Sequence, residues 1–484
     1  MATQLNQQSI RNIGIYGVIR EAEVDTGLIP EGAVTEAINV HFDRKGAVTL
    51  RPGITALGST VLAGYPCWGM HNTQNGTMVV VFCNGGSARI YAETGGAYTS
   101  NLIDGTANVR IRFVNFAGKT IVLNWGTATN MYSSVQFWTN RENNAAWNPT
   151  GNPINPQNLW SNGIYPEYGE VYKNKIYIIQ KDSSRLYFSS AISSAGNITW
   201  TTTTDWVDIY PDDGENGSGL RRYAVELLFF KPNYIYRFRT SSTDPDPLIR
   251  IGTRSNESII EGKKGLYFHH ETGFYKYTGG YPIEISRPIS DIVDAIPLSY
   301  MDKIQSWKDN DHIYWSVGDL TIEGKSWVHV VLRYTESSEI WTVYSYANEI
   351  TAGMTRNNGS TITRTVGLDN GVVGTFNSGT TDVGQPIGYR LISKWYELTN
   401  IEDRKIIQEI ITICEKAQGS KLLCQVDNNP SWQDLGQLRK FMDKFENLNI
   451  QCNRIRFKLT GMSSVEGFIF RGLKIIKGIN EGSV

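Results

Sequence analysis

The chain has 484 residues, too many for one ordinary hydrophobic core, so two or three domains are expected. Its formal net charge of −1 gives no global reason to expect nucleic acid as a tightly bound partner. Aromatic residues make up 11% of the chain, Gly occurs 47 times, and charged residues reach only 19%. This mixture favours many short strands joined by tight turns over helical bundles.

The first residues, MATQLNQQSIRNIGIYG, have neither a basic leader nor an apolar core of signal-peptide length. No run of 18 apolar residues occurs, so no membrane insertion is expected. The five cysteines are scattered without CxxC spacing, at Cys67, Cys83, Cys414, Cys424 and Cys452. We expect thiols in a protein made in a reducing cytoplasm, in preference to a disulfide framework.

The chain opens with a predicted arm over residues 1–36, followed by a hairpin. A short strand at 37–42, a polar turn at 43–46 and a second strand from 47 end at Pro52-Gly53. Alternating strands joined by a polar turn and stopped by Pro-Gly are typical of a β-hairpin. Taken alone, this segment indicates no more than a generic hairpin.

A strand–turn–strand pattern then recurs from about residue 65 to 385. Its clearest copy is residues 171–200, where short β-branched and aromatic runs alternate with turns rich in Asn, Asp, Ser and Gly. Other copies begin near Cys67, Arg112, Val225, Gly265 and Ile304, and a weaker copy spans 361–376.

Copies about 40 to 60 residues apart, each with about four strands, predict a β-propeller over residues 37–385. Six blades fit the count best, and five or seven are the alternatives. We expect the hairpin at 37–53 to complete the last blade and close the ring. A pair of β-sandwiches is the competing architecture.

The strand–turn–strand pattern ends near Gln385, where GQPIG is typical of a linker. Residues 389–484 predict a small C-terminal β-sandwich-like domain with strands at 405–414, 421–426, 455–460 and 468–476. Arg456 and Lys458 alternate with apolar residues, which indicates one buried and one wet face. Residues 432–445 are consistent with an amphipathic helix or a long loop.

No catalytic, cofactor-binding or metal-binding residues are predicted, and we do not expect an enzyme. His269, His270 and Glu271 are adjacent, so on a strand or turn they point to opposite sides, and a hairpin is favoured over a metal site. The acidic loop at 212–217 lacks the spacing of a calcium loop and is expected to be a solvated turn. Residues 193–200 echo the Asp-box turn of sialidase propellers, but Ala195 stands where the Asp belongs. A glycosidase also needs two facing carboxylates, and nothing selects a pair here.

The segment NVHFDRKGAVTLRPG resembles the opening signature of virion propeller proteins of tailed bacteriophages. The matching positions are Asn39, Asp43, Arg44, Gly46, Leu50, Arg51, Pro52 and Gly53. Two further stretches match in style, residues 185–214 and LLFFKPNYIYRF at 227–238. Over roughly residues 35–380 the chain is similar to tail hub, nozzle and packaged-DNA stabilisation proteins.

This resemblance implies a structural protein of the virion tail or neck with no catalytic residues to carry over. It implies a homo-oligomeric ring, with a hexamer expected, that docks portal, adaptor and tail components around the DNA exit channel. The near-neutral charge leads us to expect that genomic DNA passes through with weak contact, which suits retention and later ejection.

The alternative function is a receptor- or carbohydrate-binding propeller at the tail tip, where exposed aromatic rings stack on sugars. The positions of five tryptophans separate the two hypotheses: Trp125, Trp138, Trp160, Trp206 and Trp315. Burial between blades marks them as core residues, whereas clustering on one loop face indicates a glycan site.

Overall fold

The computed structural model describes residues 6–11, 13–20, 29–43, 46–58, 62–73, 76–84, 87–94, 97–106, 110–116, 119–123, 137–138, 164, 166–192, 198–238, 246–357, 361–398, 405–417, 419–427, 429–439, 441–462 and 468–478. Within these ranges the regular structure is almost entirely β, which confirms the all-β prediction. The described helical segments are α1 (Ser290–Asp294) and four 3-10 turns, at Pro211–Asp213, Asn256–Ser258, Arg287–Ile289 and Leu298–Tyr300. None of them has the length and apolar character needed to cross a bilayer.

Five strands precede the propeller, and five blades then follow as separate antiparallel sheets among the described residues. The leading strands are β1 (Asn6–Arg11), β2 (Val34–Ile38), β3 (Val40–Phe42), β4 (Val48–Leu50) and β5 (Ile54–Ala56). The first blade is β6 (Cys67–Asn72), β7 (Met78–Asn84), β8 (Ser87–Thr94) and β9 (Ala97–Thr106). The second is β10 (Arg112–Phe116), β11 (Lys119–Leu123) and β12 (Phe137–Trp138), and the third is β13 (Pro166–Tyr172), β14 (Lys175–Gln180), β15 (Arg185–Phe188) and β16 (Trp206–Asp208). The fourth is β17 (Gly219–Tyr223), β18 (Glu226–Phe230), β19 (Ile235–Phe238) and β20 (Asp246–Ile249), and the fifth is β21 (Ile260–Glu261), β22 (Leu266–His270), β23 (Gly273–Tyr277) and β24 (Ile283–Glu284).

The ring continues through two strand units that belong to larger sheets. One unit is β25 (Gln305–Asp309), β26 (His312–Ile322), β27 (Lys325–Thr335) and β28 (Ile340–Ser345). The other is β29 (Ile350–Asn357), β30 (Ile362–Leu368) and β31 (Val373–Phe376), with β32 (Thr381–Asp382) and β33 (Gln385–Pro386) at its far side. Because β29 packs against both β25 and β6, these units complete the circle.

The propeller prediction is therefore confirmed, but the blade count differs from six. Five blades are independent sheets, and the two remaining units are merged into larger sheets. The turn chemistry is as expected in the clearest copy of the repeat. Lys173 and Asn174 join β13 to β14 with φ values of 45° and 59°, the paired positive values of a two-residue hairpin turn.

Ring closure uses an N-terminal strand, although not the predicted hairpin. The β5 strand pairs antiparallel with β31, with Ile54 opposite Phe376 and Ala56 opposite Gly374. The hairpin β3–β4 instead pairs with β42 (Ile469–Gly478) in the C-terminal sandwich, which corrects the prediction for residues 37–53. Gly53 permits the change of domain, because a Cβ there would lie 2.0 Å from the carbonyl oxygen of Thr381.

The C-terminal strands form a β-sandwich, as predicted, together with strands from the N-terminal arm. They are β34 (Gly388–Ser393), β35 (Tyr396–Glu397), β36 (Lys405–Glu415), β37 (Lys421–Val426), β38 (Gln433–Gln437), β39 (Met442–Phe445), β40 (Ile450–Cys452), β41 (Arg454–Met462) and β42. In the described part of the chain, one sheet holds β1, β3, β4, β36, β39, β40 and β42. The other holds β2, β34, β35, β37, β38 and β41, and it joins the propeller where β2 meets β28.

The helix or loop expected at 432–445 is wrong, since this segment forms β38 and β39. It crosses from one sheet to the other, because β38 pairs with β37 whereas β39 pairs with β36. Its apolar residues do not share one buried face: Leu438 is fully buried, whereas Phe441 and Met442 are about half exposed. The apolar residues at helical spacing therefore do not form one buried face.

The largest hydrophobic cluster runs without a break from the sandwich into the unit β25–β28. It includes Trp315 and Trp341 on the propeller side and Leu391, Phe457 and Leu473 on the sandwich side. Because one core serves both domains, the sandwich and this side of the propeller form a single packed body.

Candidate functional site

The inner strands of the propeller converge on a polar cavity at its axis. The narrow part has a volume of about 160 Å³ and receives residues from every unit of the ring. Those residues include Gly69, Arg112, Gly169, Arg221, Glu257, Gln305 and Gly353. On one side it widens into a mouth of about 790 Å³, which the loop at 297–303 helps to line. The narrow part is thus large enough for a small ligand or a side chain.

An ion cluster of Arg110, Arg112 and Glu257 occupies the narrow part of the axis. The Arg112 guanidinium donates to both Glu257 carboxylate oxygens, Nε to Oε1 at 2.5 Å and Nη2 to Oε2 at 3.1 Å. Arg110 adds a third contact, Nη1 to Oε2, at 3.3 Å. Arg112 also lies over the ring of Tyr168, 4.3 Å from its centroid. Glu257 therefore accepts three hydrogen bonds from two arginines, and the cluster carries one more positive than negative charge.

The electrostatics keep Glu257 ionised. Burial alone would raise the pKa of this carboxyl, but the Arg112 and Arg110 guanidinium groups beside it hold its pKa well below the usual range. Glu257 sits in a 3-10 turn that neighbouring units fix. The Leu220 N–H donates to Asn256 Oδ1 at 3.1 Å, and Ser306 Oγ donates to the Glu257 carbonyl at 2.6 Å. The cluster is an ionic crosslink between units of the ring.

A second carboxylate, Glu167, lies at the mouth, 3.6 Å from Arg112 Nη1. Burial raises the pKa of Glu167, and Arg112 opposes that shift. Carboxyls with opposite pKa shifts occur in acid–base catalysis. Here, however, both oxygens of Glu257 accept bonds from arginines, so Glu257 is not available as a base or nucleophile.

Asn39 and Arg51, two residues of the signature segment, lie at a different site, the joint where the sandwich meets the last propeller sheet. Arg51 is buried there, and its guanidinium donates to both Asp382 oxygens at 2.8 and 2.6 Å. Its other bonds go to Asn39 Oδ1 at 2.8 Å, the Pro52 carbonyl at 3.0 Å and the Ser345 carbonyl at 2.9 Å. All five N–H donors of Arg51 therefore have an acceptor.

Aromatic rings complete the Arg51 joint. Its guanidinium lies 3.8 Å from the ring centroid of Tyr346 and 5.7 Å from that of Tyr344. Burial favours loss of the proton, but Tyr346 and Asp382 together raise the pKa of Arg51 above its usual value. Arg51 thus stays protonated in its buried position.

Asn39 links three segments at the same joint. Its φ of 60° is left-handed, a conformation that Asn tolerates better than most residues. Its Nδ2 donates to the Gly388 carbonyl at 2.6 Å, and its Oδ1 accepts from the Ser345 N–H at 2.8 Å as well as from Arg51. In the adjacent turn, Asp43 Oδ1 accepts from the Ala47 N–H at 2.9 Å. Arg44, the signature's remaining charged residue, lies outside the described residues.

The candidate metal residues of the sequence have structural roles. His269 is buried in β22 against Phe274, and burial lowers its pKa to about 3. In the 212–217 loop, Asp213 accepts two bonds from Lys231 Nζ, at 2.6 and 2.7 Å, so that loop is more than a solvated turn. No group of three or more His, Cys, Asp or Glu in the described ranges is placed to hold a metal ion. Residues 193–197, with most of the Asp-box echo, lie outside those ranges.

Two of the five discriminating tryptophans have described side chains. Trp315 is buried in the shared core, 4.7 Å from the ring centroid of Phe274. Trp206 is half-buried, with the Arg185 guanidinium 3.8 Å from its centroid. Trp125, Trp160 and the side chain of Trp138 lie outside the described residues. The two that can be placed do not form a glycan-binding face.

Sequence reasoning missed the partners of both ion clusters. It named Arg112 only as the start of a repeat, and it singled out neither Glu257 nor Asp382. These residues lie 145 and 331 positions from the arginines that they bind. No spacing rule connects residues so far apart, so a single sequence carries no signal for the pairing.

No protein-family model matches the chain, and no curated protein is similar to it. Solved structures do show similarity. The extracellular domain of the two-component system protein BT3049 from B. thetaiotaomicron aligns with a TM-score of 0.42 and 10% identity, covering 92% of this chain and 62% of that domain. The corresponding domain of BT4673 from the same organism gives 0.36 and 8%, covering 82% and 47%.

BBS1N, solved in complex with ARL6DN, aligns with a TM-score of 0.36 and 10% identity, covering 69% of this chain and 100% of that one. The chain thus spans less than two thirds of either extracellular domain. At these values the similarity says nothing about function.

Proposed function

We propose that this protein is a structural subunit of the tail or neck of a tailed bacteriophage. In this proposal, copies form a ring, expected to be a hexamer, that docks portal, adaptor and tail proteins around the DNA exit channel. The observation that carries the proposal is the Arg51 joint. Asn39 and Arg51, two of the residues that resemble the virion signature, connect the ring-closing segment to the last propeller sheet and to the sandwich.

A rigid joint suits a load-bearing ring. Arg51 links the segment before β5 to Asp382 in the last propeller sheet, and Asn39 links that segment to the start of the sandwich. A propeller held in this way presents loops on two opposite faces, which suits docking above and below in a stack.

The axial site supports a non-catalytic role. Glu257 is neutralised by two arginines, and the carboxylate pair that a glycosidase needs is therefore incomplete. In this proposal DNA passes through the opening of the assembled ring rather than through the propeller, since the axial cavity of about 160 Å³ is far smaller than a DNA duplex. With a net charge of −1, that opening is expected to hold DNA weakly.

The test is the mass of the purified protein by light scattering, together with cryo-EM of particles from a virion source. A closed ring and density at the neck or tail would support the proposal. Duplex DNA added at physiological salt should show only weak binding. A stable monomer that is absent from particles, or a ring that binds duplex DNA tightly, would contradict it.

The mouth of the axial cavity favours one second candidate, a carbohydrate-binding propeller. Trp68, Tyr168 and Tyr300 line a space of about 790 Å³ together with several carboxylates, a composition that suits sugar rings and their hydroxyls. A glycan array probed with the intact protein tests it. Binding that Trp68→Ala abolishes, in a variant that melts like the parent protein, would favour this function over the virion role.

A further inference from the structure

The outer face of the sandwich carries a row of stacked cations and indoles, which we call the cation–indole ladder: Trp395, Arg456, Trp432 and Lys458. Arg456 lies 4.6 Å from the ring centroid of Trp395 and 5.3 Å from that of Trp432. Lys458 Nζ lies 5.4 Å from the Trp432 centroid. Arg454, two residues before Arg456, lies 4.7 Å from the other end of the ladder, at Trp395.

The pleat of β41 builds this ladder. Ile455, Phe457 and Leu459 point into the sandwich core and are almost fully buried. Arg456 and Lys458 therefore point outward. The sequence predicted this wet face from the alternation, but Trp395 and Trp432 come from other segments, and their contribution was not foreseen.

Two cations of the ladder are only partly compensated by nearby carboxylates. Arg456 Nε donates to the neutral Gln425 Oε1 at 2.7 Å, and neither Arg456 nor Lys458 forms an ion pair with a carboxylate of the described chain. The neighbouring Arg390, by contrast, is paired with Glu36. Burial lowers the pKa of both Arg456 and Lys458, and the carboxylates of Glu36 (near both cations) and Glu323 (near Arg456) offset only part of that shift. An anion placed against the ladder would remove that deficit.

We propose that the cation–indole ladder docks an extended acidic segment of a partner protein. Residues of β41 that share a face are about 6.6 Å apart, twice the rise per residue of a strand. An extended peptide with acidic residues at every second position presents carboxylates with the same repeat. Trp and Arg are also the side chains that most often dominate the energetics of protein interfaces.

Nucleic acid fits this surface less well. Cations already stack on the indoles, which reduces the aromatic surface available to bases. The positive strip is short, and the carboxylates of Glu36 and Glu323 are close enough to raise the pKa of Arg456, so a long polyanion would meet repulsion at its margin. A short acidic peptide avoids that cost.

The test uses the intact protein and a fluorescently labelled peptide of alternating Glu and Thr, with a Gln–Thr peptide of the same length as probe control. Fluorescence anisotropy should show salt-sensitive binding of the Glu peptide only. The double variant Arg456→Gln and Lys458→Gln should weaken it at least tenfold. The matched control is Arg471→Gln, which removes an exposed arginine that Glu415 already neutralises and should leave binding unchanged.

Lys458→Gln alone, at the end of the ladder, covers the case in which the double variant fails to fold, and it should weaken binding severalfold. Equal binding by folded variants and parent protein would overturn the proposal. So would tighter binding of single-stranded oligo-dT through the same residues, or self-association that these substitutions abolish. The result is independent of the virion assignment, because peptide binding does not require particles.

Discussion

Replacing Arg51 by Met should open the joint between the propeller and the sandwich. The substitution preserves much of the apolar stem but removes all five N–H donors. It leaves the Asp382 carboxylate, with only 6% of its side chain exposed, without its counter-charge. It also removes the cation that Tyr346 holds at 3.8 Å.

Removing one partner of a buried ion pair typically lowers the free energy of unfolding by about 3–5 kcal/mol. We expect the Arg51 pair to fall within this range, since both side chains are buried and the bonds to Asp382 are bidentate. Changing Asp382 to Asn as well should recover part of the loss, because no isolated charge then remains. The double variant should therefore be more stable than Arg51→Met alone.

The assay is urea unfolding combined with hydrogen exchange of the β5 amides, which report ring closure directly. Arg51→Met should speed exchange in β5 and β31 before it affects the separate blades. The control is Arg471→Met, which removes an exposed ion pair to Glu415. It should lower the free energy of unfolding by no more than about 1 kcal/mol. A loss below about 1 kcal/mol for Arg51→Met, or unchanged exchange in β5, would refute the reasoning.

Three other outcomes are expected. Glu257→Gln should lower the free energy of unfolding by about 3–5 kcal/mol, since Arg110 and Arg112 lose the carboxylate that they share, whereas exposed Glu271→Gln should lower it by no more than about 1 kcal/mol in the same urea titration. The pKa of His269 is about 3 in the folded protein and about 6.5 in an unfolded chain, so the unfolded state binds more protons below pH 6.5. This residue should therefore lower the free energy of unfolding by up to about 1.4 kcal/mol for each pH unit of acidification below that value. Unfolding measured across that range should show a shallower acid slope for His269→Leu, and an unchanged slope would contradict the prediction. The five cysteines are buried as thiols, so 5,5′-dithiobis(2-nitrobenzoate) should react with the native chain slowly at about pH 8 and with all five thiols after unfolding; fast native reaction would contradict their placement.

The sequence contained most of the local structure because strands and turns are specified by neighbouring residues. The polar turn at Lys173 and Asn174 and the alternation in β41 are both read correctly within a few positions. The prediction of an amphipathic helix or a long loop at 432–445 is wrong for the opposite reason. Spacing of apolar residues predicts a helix only when one face is buried, and here Leu438 and Phe441 have opposite exposures.

Blade count and site geometry depend on contacts that local pattern does not encode. A single parallel pair, Ile38 with Val343, merges a propeller unit with a sandwich sheet. The strand that closes the propeller ring is β5, because Gly53 has no Cβ and the chain can therefore pass close to Thr381. Each of these features requires knowing which distant segments meet, and one sequence does not supply that.

The N-terminal strands tie the sandwich to the propeller, and this connection bears on the proposed role. Strand β1 pairs with β42, β2 pairs with β34, and β5 pairs with β31, so N-terminal strands reach both sheets of the sandwich and the last propeller sheet. Force applied to the sandwich would therefore pass to the propeller through the Arg51 joint and the shared core rather than through a flexible linker. A subunit of a stacked ring needs such a connection, because docking on one domain must fix the position of the other.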